Sequence, residues 1–431
     1  MNERLGLISV SGMHVHDDRL AAPELHSPSL GLLTLAAVTP EDFDVRYLEM
    51  DAFDEAILRA TAFDIVAISS FTAKASVMYA IADFYRARGV TVVLGGLHCT
   101  LLPREAAEHA DAVVVGEGER LWPRALDDWR RGALQKVYRS LSLLDVDLAR
   151  VPAPRYDLLE ALRYSRIPVQ TTRGCPLDCE FCAASKVFGA GYKMKPVELV
   201  VRDIRDARRH FADPFVALAD DNTFVNKEWS RALVRALADE GVRWQTETDV
   251  TIADDPALLD LLAPSGCRQV SVGLESPRLE SLQGIEKSNW KARFRDRHFR
   301  VVNELQRRGV SVKGCFIVGL DRDTPDIFEE IERFVRGSGL MEVQVTVLTP
   351  FPGTALYRRL AAEGRLLQKV FWDRCTLFDV NFVPARMSVA QLEQGLDYLM
   401  GALYSAAETR RRRRLVRERA PWFDRTEPVT P

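Results

Sequence analysis

The chain has 431 residues, 47% apolar and 28% charged, the balance of a folded protein with ample core and length for two domains or more. A formal net charge of −3 gives no field that would draw in DNA or RNA, so nucleic acid is not an expected partner. Seven cysteines, three of them clustered, suit a reducing interior better than a disulfide framework. The opening M-N-E-R-L-G-L-I-S-V lacks the shape of a signal peptide, and no run of 18 apolar residues exists. A cytoplasmic location is expected, with peripheral membrane contact left open.

In chain order, Leu5–Val10 is an apolar run, as a parallel strand buried on both faces should be. Ser29–Val38 predicts a helix, Val45–Glu49 a strand and Phe53–Thr61 a second helix. Ile65–Ser70 predicts a strand, and Ala75–Arg88 a helix stopped by Gly89. Val90–Leu94 and Ala112–Val115 are further strands. This alternation predicts an α/β fold opening with a doubly wound parallel sheet, whose ligands sit beyond the carboxyl ends of the strands. Those ends are Ser11–Gly12, Ser69–Ser70–Phe71–Thr72, Gly95–Gly96–Leu97–His98 and Gly116–Glu117–Gly118–Glu119. Glycines there let backbone approach a ligand closely. Ser69, Ser70, Gly95, Gly96, Gly116 and Glu117 are the candidate binding residues.

Arg130–Arg166 reads as a linker in which Pro152 and Pro154 disfavour helix. Thr171–Cys182 follows, T-T-R-G-C-P-L-D-C-E-F-C, with Cys175, Cys179 and Cys182 in one short loop. Three thiolates so close can each ligate one iron of a cubane [4Fe–4S] cluster. The remaining iron then keeps an open position, and an open position on a metal is where chemistry happens. Cys99, Cys267, Cys315 and Cys375 lie far off along the chain. A zinc loop or three unrelated thiols is the competing reading, but zinc prefers four closed ligands and no second C-x-x-C or H-x-x-x-H appears.

From Pro168 the alternation resumes. Strands are expected at Val169–Thr172, Phe215–Leu218, Arg243–Thr246, Gln269–Val272, Val312–Val318 and Val343–Leu348. Helices are expected at Pro196–His210, Lys227–Glu240, Pro256–Leu262, Phe299–Arg308 and Asp326–Arg336. A closed eight-unit barrel takes about 250 residues; the shorter stretch here predicts a partial barrel of six units. Trp372, Phe378, Phe382 and Pro384 are expected to cap its open side or line a substrate pocket. Ser388–Ala407 patterns as an amphipathic helix with Ser388 as N-cap. The basic run Arg410–Arg414 is expected as a solvated face near a helix C-terminus, with lipid or nucleic-acid contact the lesser alternative.

The C-x-x-x-C-x-x-C spacing, with Phe181 before the last cysteine, resembles the radical S-adenosylmethionine (SAM) enzymes. P-S-L-G-L-L-T-L-A, V-V-L-G-G-L-H and V-V-V-G-E-G-E upstream, and L-T-P-F-P-G-T downstream, resemble the subfamily in which a cobalamin-binding domain precedes the radical SAM core, the class B methyltransferase-like members. The resemblance implies a cobalamin-binding-like, Rossmann-like domain over 1–135, a linker over 136–166, a partial (β/α)6 radical SAM barrel over 167–360 and a helical C-terminal extension over 361–431. It implies a [4Fe–4S] cluster on Cys175, Cys179 and Cys182, with SAM chelated at the open iron and cleaved after one-electron reduction to a 5′-deoxyadenosyl radical. It places Phe181 against adenine, Asp220, Asp221 and Asn222 at the methionyl amino group, and Thr246, Glu247 and Thr248 by the ribose and carboxylate. Ile317 and Gly319 match the backbone rim that holds adenine. For Asp220–Asn222 an ordinary helix N-cap is the alternative. Glu275 ends the fourth strand, where an unpaired carboxylate is costly, so it should bind SAM, substrate or an internal cation.

The chain departs from the subfamily at one place. Many cobalamin-binding domains carry D-x-H-x-x-G after the first strand, and its histidine ligates cobalt; here that loop reads S-G-M-H-V-H-D-D-R-L. The spacing fits none of His14, His16 or His26, so if cobalamin binds it is expected without the usual histidine lower ligand; the alternative is a domain that keeps the fold but has lost the cofactor, or uses the crevice for substrate. The expected activity is cobalamin-dependent methylation of an unactivated carbon of a small-molecule or lipid substrate, fed by an electron donor such as flavodoxin or ferredoxin. Two alternatives stay open. One is cobalamin-independent radical oxidation, cyclisation or C–C bond formation; the other is a non-catalytic cluster- or corrinoid-binding sensor.

Overall fold

The computed structural model describes residues 2–11, 27–140, 145–160, 163–184 and 191–419. Gly12 and the three histidines His14, His16 and His26 lie outside the described residues. Strands β1 (Glu3–Val10), β2 (Phe43–Met50), β3 (Ile65–Ser70), β4 (Thr91–Gly95), β5 (Ala112–Val115) and β6 (Val137–Arg139) form one parallel sheet in the order β2-β1-β3-β4-β5-β6. Both faces are covered, which is why β1, β3 and β5 read as near-continuous apolar runs. Leu5 and Leu7 pack with Leu32, Ala36, Trp122 and Leu126, from the helices Leu30–Ala37 and Leu121–Arg130. Ile8 and Val10 pack on the opposite face with Met78, Ile81 and Ala82 of the helix Ala75–Arg86. The sheet is therefore doubly wound. The strand order reverses between β1 and β3, and a crevice opens beyond the carboxyl ends at such a switch point. β6 falls within the stretch expected as linker; three residues at a sheet edge carry too little pattern to read.

The second sheet holds β7 (Ile167–Val169), β10 (Phe215–Leu218), β11 (Arg243–Thr248), β12 (Cys267–Glu275), β13 (Ser311–Val318) and β14 (Glu342–Val347), parallel, in the order β14-β13-β12-β11-β10-β7. β14 and β7 do not pair, so the barrel is open. On β13 Val312, Phe316 and Val318 are buried against the outer helices, while Lys313, Cys315 and Ile317 alternate with them as half-buried residues on the lumen side. The first expected barrel strand, Val169–Thr172, is broken. β7 stops at Val169, and a short antiparallel hairpin of β8 (Thr172–Arg173) and β9 (Lys193–Met194) follows. The cause is Asp220, whose carboxylate takes the Thr171 and Thr172 N–H groups at 2.9 and 2.7 Å and so removes them from a ladder.

The tail closes the barrel's open edge. Ser388 and Gln391 form a capping box on the helix Val389–Tyr404, and the Tyr404 hydroxyl accepts Val345 N–H at 3.1 Å and donates to Val343 O at 2.9 Å along β14. An unpaired edge strand is thereby covered. Two tail expectations are corrected. Trp372 lies in the apolar layer of the first sheet, and its indole donates to Glu105 Oε2 at 3.0 Å. Arg412 is buried, not solvated: its guanidinium bonds the Met341 and Leu403 carbonyls inside the helix Ala406–Arg419 packing. Among the described residues no helix is long and apolar enough to cross a membrane. Where Val389–Tyr404 crosses the helix Ile327–Ser338, a Cβ on Gly395 would sit 2.0 Å from a Phe328 ring carbon. Gly395→Ala is therefore expected to cost about 1–3 kcal/mol by overpacking, read as a lowered urea midpoint.

Candidate active site

The cysteine loop is fixed from several sides. Cys182 N–H donates to Cys179 O at 3.1 Å, so the last two thiols share one turn. Glu180 between them donates its N–H to Ile285 O at 2.8 Å, accepts Leu356 N–H at 2.9 Å, and holds Arg359 at 2.6 Å through its carboxylate. Cys179 is buried, 6% exposed, and Cys175 and Cys182 are half-buried; none is in a disulfide. Burial pushes the Cys179 thiol up to about 12, with Lys291 pulling the other way and Cys182 and Cys175 adding to the rise. Cluster assembly must therefore release protons. Asn222 Nδ2 points at Cys175 Sγ, 4.0 Å away, and is oriented by Asp249 at 2.8 Å. Among the described residues no three His, Cys, Asp or Glu side chains converge as ligands of one ion do. A cubane asks instead for a wider triangle of thiolates, one per iron corner. The donor set, three thiols on one pinned loop with an amide N–H behind one sulfur, fits that group.

The acidic turn after β10 divides its labour. Asp220 is buried, and its carboxylate takes the two strap N–H groups, the Thr171 hydroxyl and the Thr223 hydroxyl at 2.7 Å. Thr223 in turn meets Thr246 Oγ1 at 2.5 Å. Asp220 and Thr246 thus form a buried clamp on the approach to the cysteines. Asp221 accepts Gly174 N–H at 3.1 Å and otherwise opens to the cavity. Glu247 is accessible at the strand end but faces a lumen walled by protein, and the desolvation there holds its carboxyl above the usual range, with Lys313 opposing and Asp221 reinforcing. Phe181 is half-buried against the barrel core, as is Ile317 on β13. Gly319 donates its N–H to Asp323 at 3.0 Å, and its α-carbon faces Leu392 and Phe382 of the tail.

Glu275 lies beyond a register shift in β12 and adopts φ 59°, a left-handed backbone rare outside glycine. Strain of this kind persists only where surroundings over-determine it. The surroundings are Lys291, whose ammonium donates to Glu275 Oε1 at 2.7 Å, both groups being buried. Of the three expected partners for Glu275, the structure supplies the internal cation. Sequence reasoning missed Lys291, which sits on a short helix, Trp290–Arg293, with no strand-end position to mark it. His298 packs nearby with its Nδ1 unpartnered; burial, helped by Lys291 and Arg295, pulls the imidazole down to about 3. The unfolded chain binds this proton from pH 6.5 downward and the folded one only near 3, so stability is present above 6.5 and lost as pH falls through that window. His298→Phe should remove one such limb, at most about 1.4 kcal/mol per pH unit, seen as a lower acid-unfolding midpoint.

The two sheets meet at a cavity of about 480 Å3. Ser69, Gly95, Gly96, Gly116 and Glu117 line it from the strand ends of the first sheet, and Gln170, Thr172, Arg173 and Asp221 from strand β8 and the loops that follow β7 and β10. Gly96 has φ 89°, and a Cβ there would lie 2.3 Å from Ser69 Oγ; Cβ atoms on Gly31 and Gly116 would project into open space. Such a backbone wall is a cradle that side chains would fill, and it fits close approach by a large ligand. Ser70 turns the other way, its hydroxyl 3.2 Å from Met78 Sδ under the helices. Glu117 reaches the cavity but its carboxylate is occupied: it holds Arg173 at 2.5 Å and two backbone N–H groups of residues 145 and 146. Arg173 was also missed, although it stands inside the cysteine motif. His98 of G-G-L-H is buried away from the crevice against Tyr79 and Glu105, at 3.0 and 3.2 Å.

Residues 169–335 match the radical SAM superfamily, residues 18–126 the B12 binding domain, and residues 354–427 a domain of unknown function. The chain thus carries a radical SAM domain with a B12-binding domain ahead of it. The radical SAM domain brings a [4Fe–4S] cluster and SAM as cofactors, and the B12-binding domain adds cobalamin. Bacteriochlorophyllide d C-12(1)-methyltransferase of Chlorobaculum tepidum is 28% identical over 90% of this chain and 84% of its own. Bacteriochlorophyllide d C-8(2)-methyltransferase of the same organism is 29% identical over 83% and 80%. Among solved structures, the radical SAM methyltransferase TsrM from Kitasatospora setae, with cobalamin and a [4Fe–4S] cluster bound, superposes with a TM-score of 0.70 at 17% identity, over 97% of this chain and 99% of that one.

Proposed function

We propose that the chain transfers a methyl group to an unactivated carbon of a small organic molecule or lipid. The observation that carries this reading is the shared cavity, lined both by the glycine ends of β4 and β5 and by the strap that leads into Cys175. When bound, the cluster, SAM and cobalamin supply one-electron cleavage of a sulfonium and a transferable methyl group. The chain's own residues bind, orient and exclude water. Cys175, Cys179 and Cys182 each hold one iron, and Asn222 steadies the Cys175 sulfur through its N–H. Phe181 and Ile317 are the apolar surfaces for the adenosyl part of SAM. Asp221 is the free acceptor for the methionyl ammonium, and Glu247 for ribose hydroxyls. Asp220, Thr246, Glu275 and Gly319 act at one remove, because their polar groups are engaged by the chain itself. Ser69, Gly95, Gly96 and Gly116 form the corrinoid wall. The electron comes from an external donor such as flavodoxin or ferredoxin.

The two relatives named for methylation at C-12(1) and C-8(2) of bacteriochlorophyllide d support a carbon acceptor. Anaerobic purification with hydroxocobalamin, followed by SAM and a one-electron reductant, tests the reading. Retained corrinoid absorption, SAM consumption and a product heavier by one CH2 are expected. SAM cleavage without retained corrinoid would point to oxidation, cyclisation or C–C bond formation instead. Corrinoid retention without SAM consumption would point to a sensor.

A further inference from the structure

The Arg173 guanidinium joins the two halves of the chain at the cavity. Its Nη1 donates to Glu117 Oε1 at 2.5 Å, and its Nη2 to Glu119 Oε1 at 2.5 Å and Gln170 Oε1 at 2.7 Å. Side-chain exposure is 9% for Arg173, 0% for Glu117 and 12% for Glu119, so these charges are withdrawn from water. A buried ion pair is tolerated only when further hydrogen bonds satisfy its remaining lone pairs. Here they do: Glu117 Oε2 accepts the N–H groups of Asp145 and Val146 at 2.6 and 2.7 Å. Lys193, paired across the hairpin from Arg173, donates to Val146 O at 2.7 Å. One network therefore grips the end of β5, the crossing segment and the β8–β9 hairpin.

Its location matters more than its energy. Glu117 follows Gly116 in the crevice wall, and Arg173 precedes Gly174 and Cys175. On the other side the strap is held by Asp220 and Asp221, so Arg173 is the only side chain of residues 171–174 bonded to the first sheet among the contacts described. A ligand that settles the Gly116–Glu119 turn also settles the guanidinium, and with it the entry to the cysteine loop; linkage makes the effect equal in the other direction.

We propose that Arg173 is a positioning residue that couples occupancy of the crevice by a corrinoid to the setting of the Cys175–Cys182 loop. The proposal rests on the reading of crevice and loop given above. Hydrogen exchange of the full-length, cluster-free protein, with and without hydroxocobalamin, tests it. In the wild type the corrinoid slows exchange at Gly95–Gly96 and Gly116–Gly118, and also at the amides between Gly174 and Cys182, which lie beyond the cavity lining, by about fivefold or more. In Arg173→Gln the crevice amides are still protected and the loop amides are not. Arg173→Lys keeps the charge but not the fork that serves two carboxylates, and gives partial loop protection. Undiminished loop protection in Arg173→Gln overturns the proposal. If that variant does not fold, Glu119→Gln removes one arm at the more exposed acid, and full loop protection there overturns it equally. No corrinoid protection anywhere in the wild type removes the crevice reading itself, and the proposal falls with it.

Discussion

Replacing Cys179 with alanine abolishes the visible absorption of the reconstituted iron–sulfur centre and, with it, all cleavage of SAM. The expectation follows from geometry as well as spacing. Cys179 is the most buried of the three thiols, and its carbonyl accepts the Cys182 N–H, so the two are set by one turn. Glu180 ties that turn to Ile285, Leu356 and Arg359, which leaves it little freedom to recruit a substitute. Three of the four other cysteines are remote from the loop. Cys99 and Cys375 sit in the apolar layer of the first sheet, and Cys267 opens β12 at the far end of the barrel from the loop. With two thiolates the cluster lacks a third anchored corner. An absorption spectrum after anaerobic reconstitution, with chromatography of SAM and its products, reads both losses. SAM cleavage surviving at more than a trace would contradict the assignment.

Lys291→Met is expected to destabilise the barrel by about 3–5 kcal/mol, because it strands the Glu275 carboxylate in the interior. Three costs converge there. The carboxylate loses its 2.7 Å partner, it is buried, and the backbone at Glu275 is already left-handed. The ammonium also bears on Cys179, so its removal takes away the one cation opposing the rise of that thiol. The double variant Glu275→Gln with Lys291→Met removes the stranded charge and should recover most of the loss. Urea midpoints of the three proteins decide it: equal midpoints for wild type and Lys291→Met would show that the pair holds nothing together.

Much of the fold was legible because its signals are local. Ile65–Ser70, Ala112–Val115 and Phe215–Leu218 are strands over those residues, and Lys227–Glu240 and Pro256–Leu262 are helices, each carrying its own period and cap. The cysteine loop was legible for the same reason. What was not legible depends on partners distant in sequence. The strap breaks after Val169 because Asp220, 49 residues on, claims the Thr171 N–H. Glu117 looked like a ligand contact and is instead tied to Arg173, 56 residues away. Trp372 follows the barrel in sequence yet docks on Glu105, on the short helix Pro103–Ala106 between β4 and β5. Lys291 could be inferred only as an unnamed cation for Glu275, and Arg412 looked solvated because five arginines in a row hide which one points inward.

Three cysteines on a four-iron cluster would leave one iron corner to SAM. Electron paramagnetic resonance of the reduced, reconstituted wild-type protein, recorded with and without SAM, addresses that corner directly. A changed signal is expected when SAM is added, as a new ligand takes the open iron. A signal identical with and without saturating SAM would contradict it.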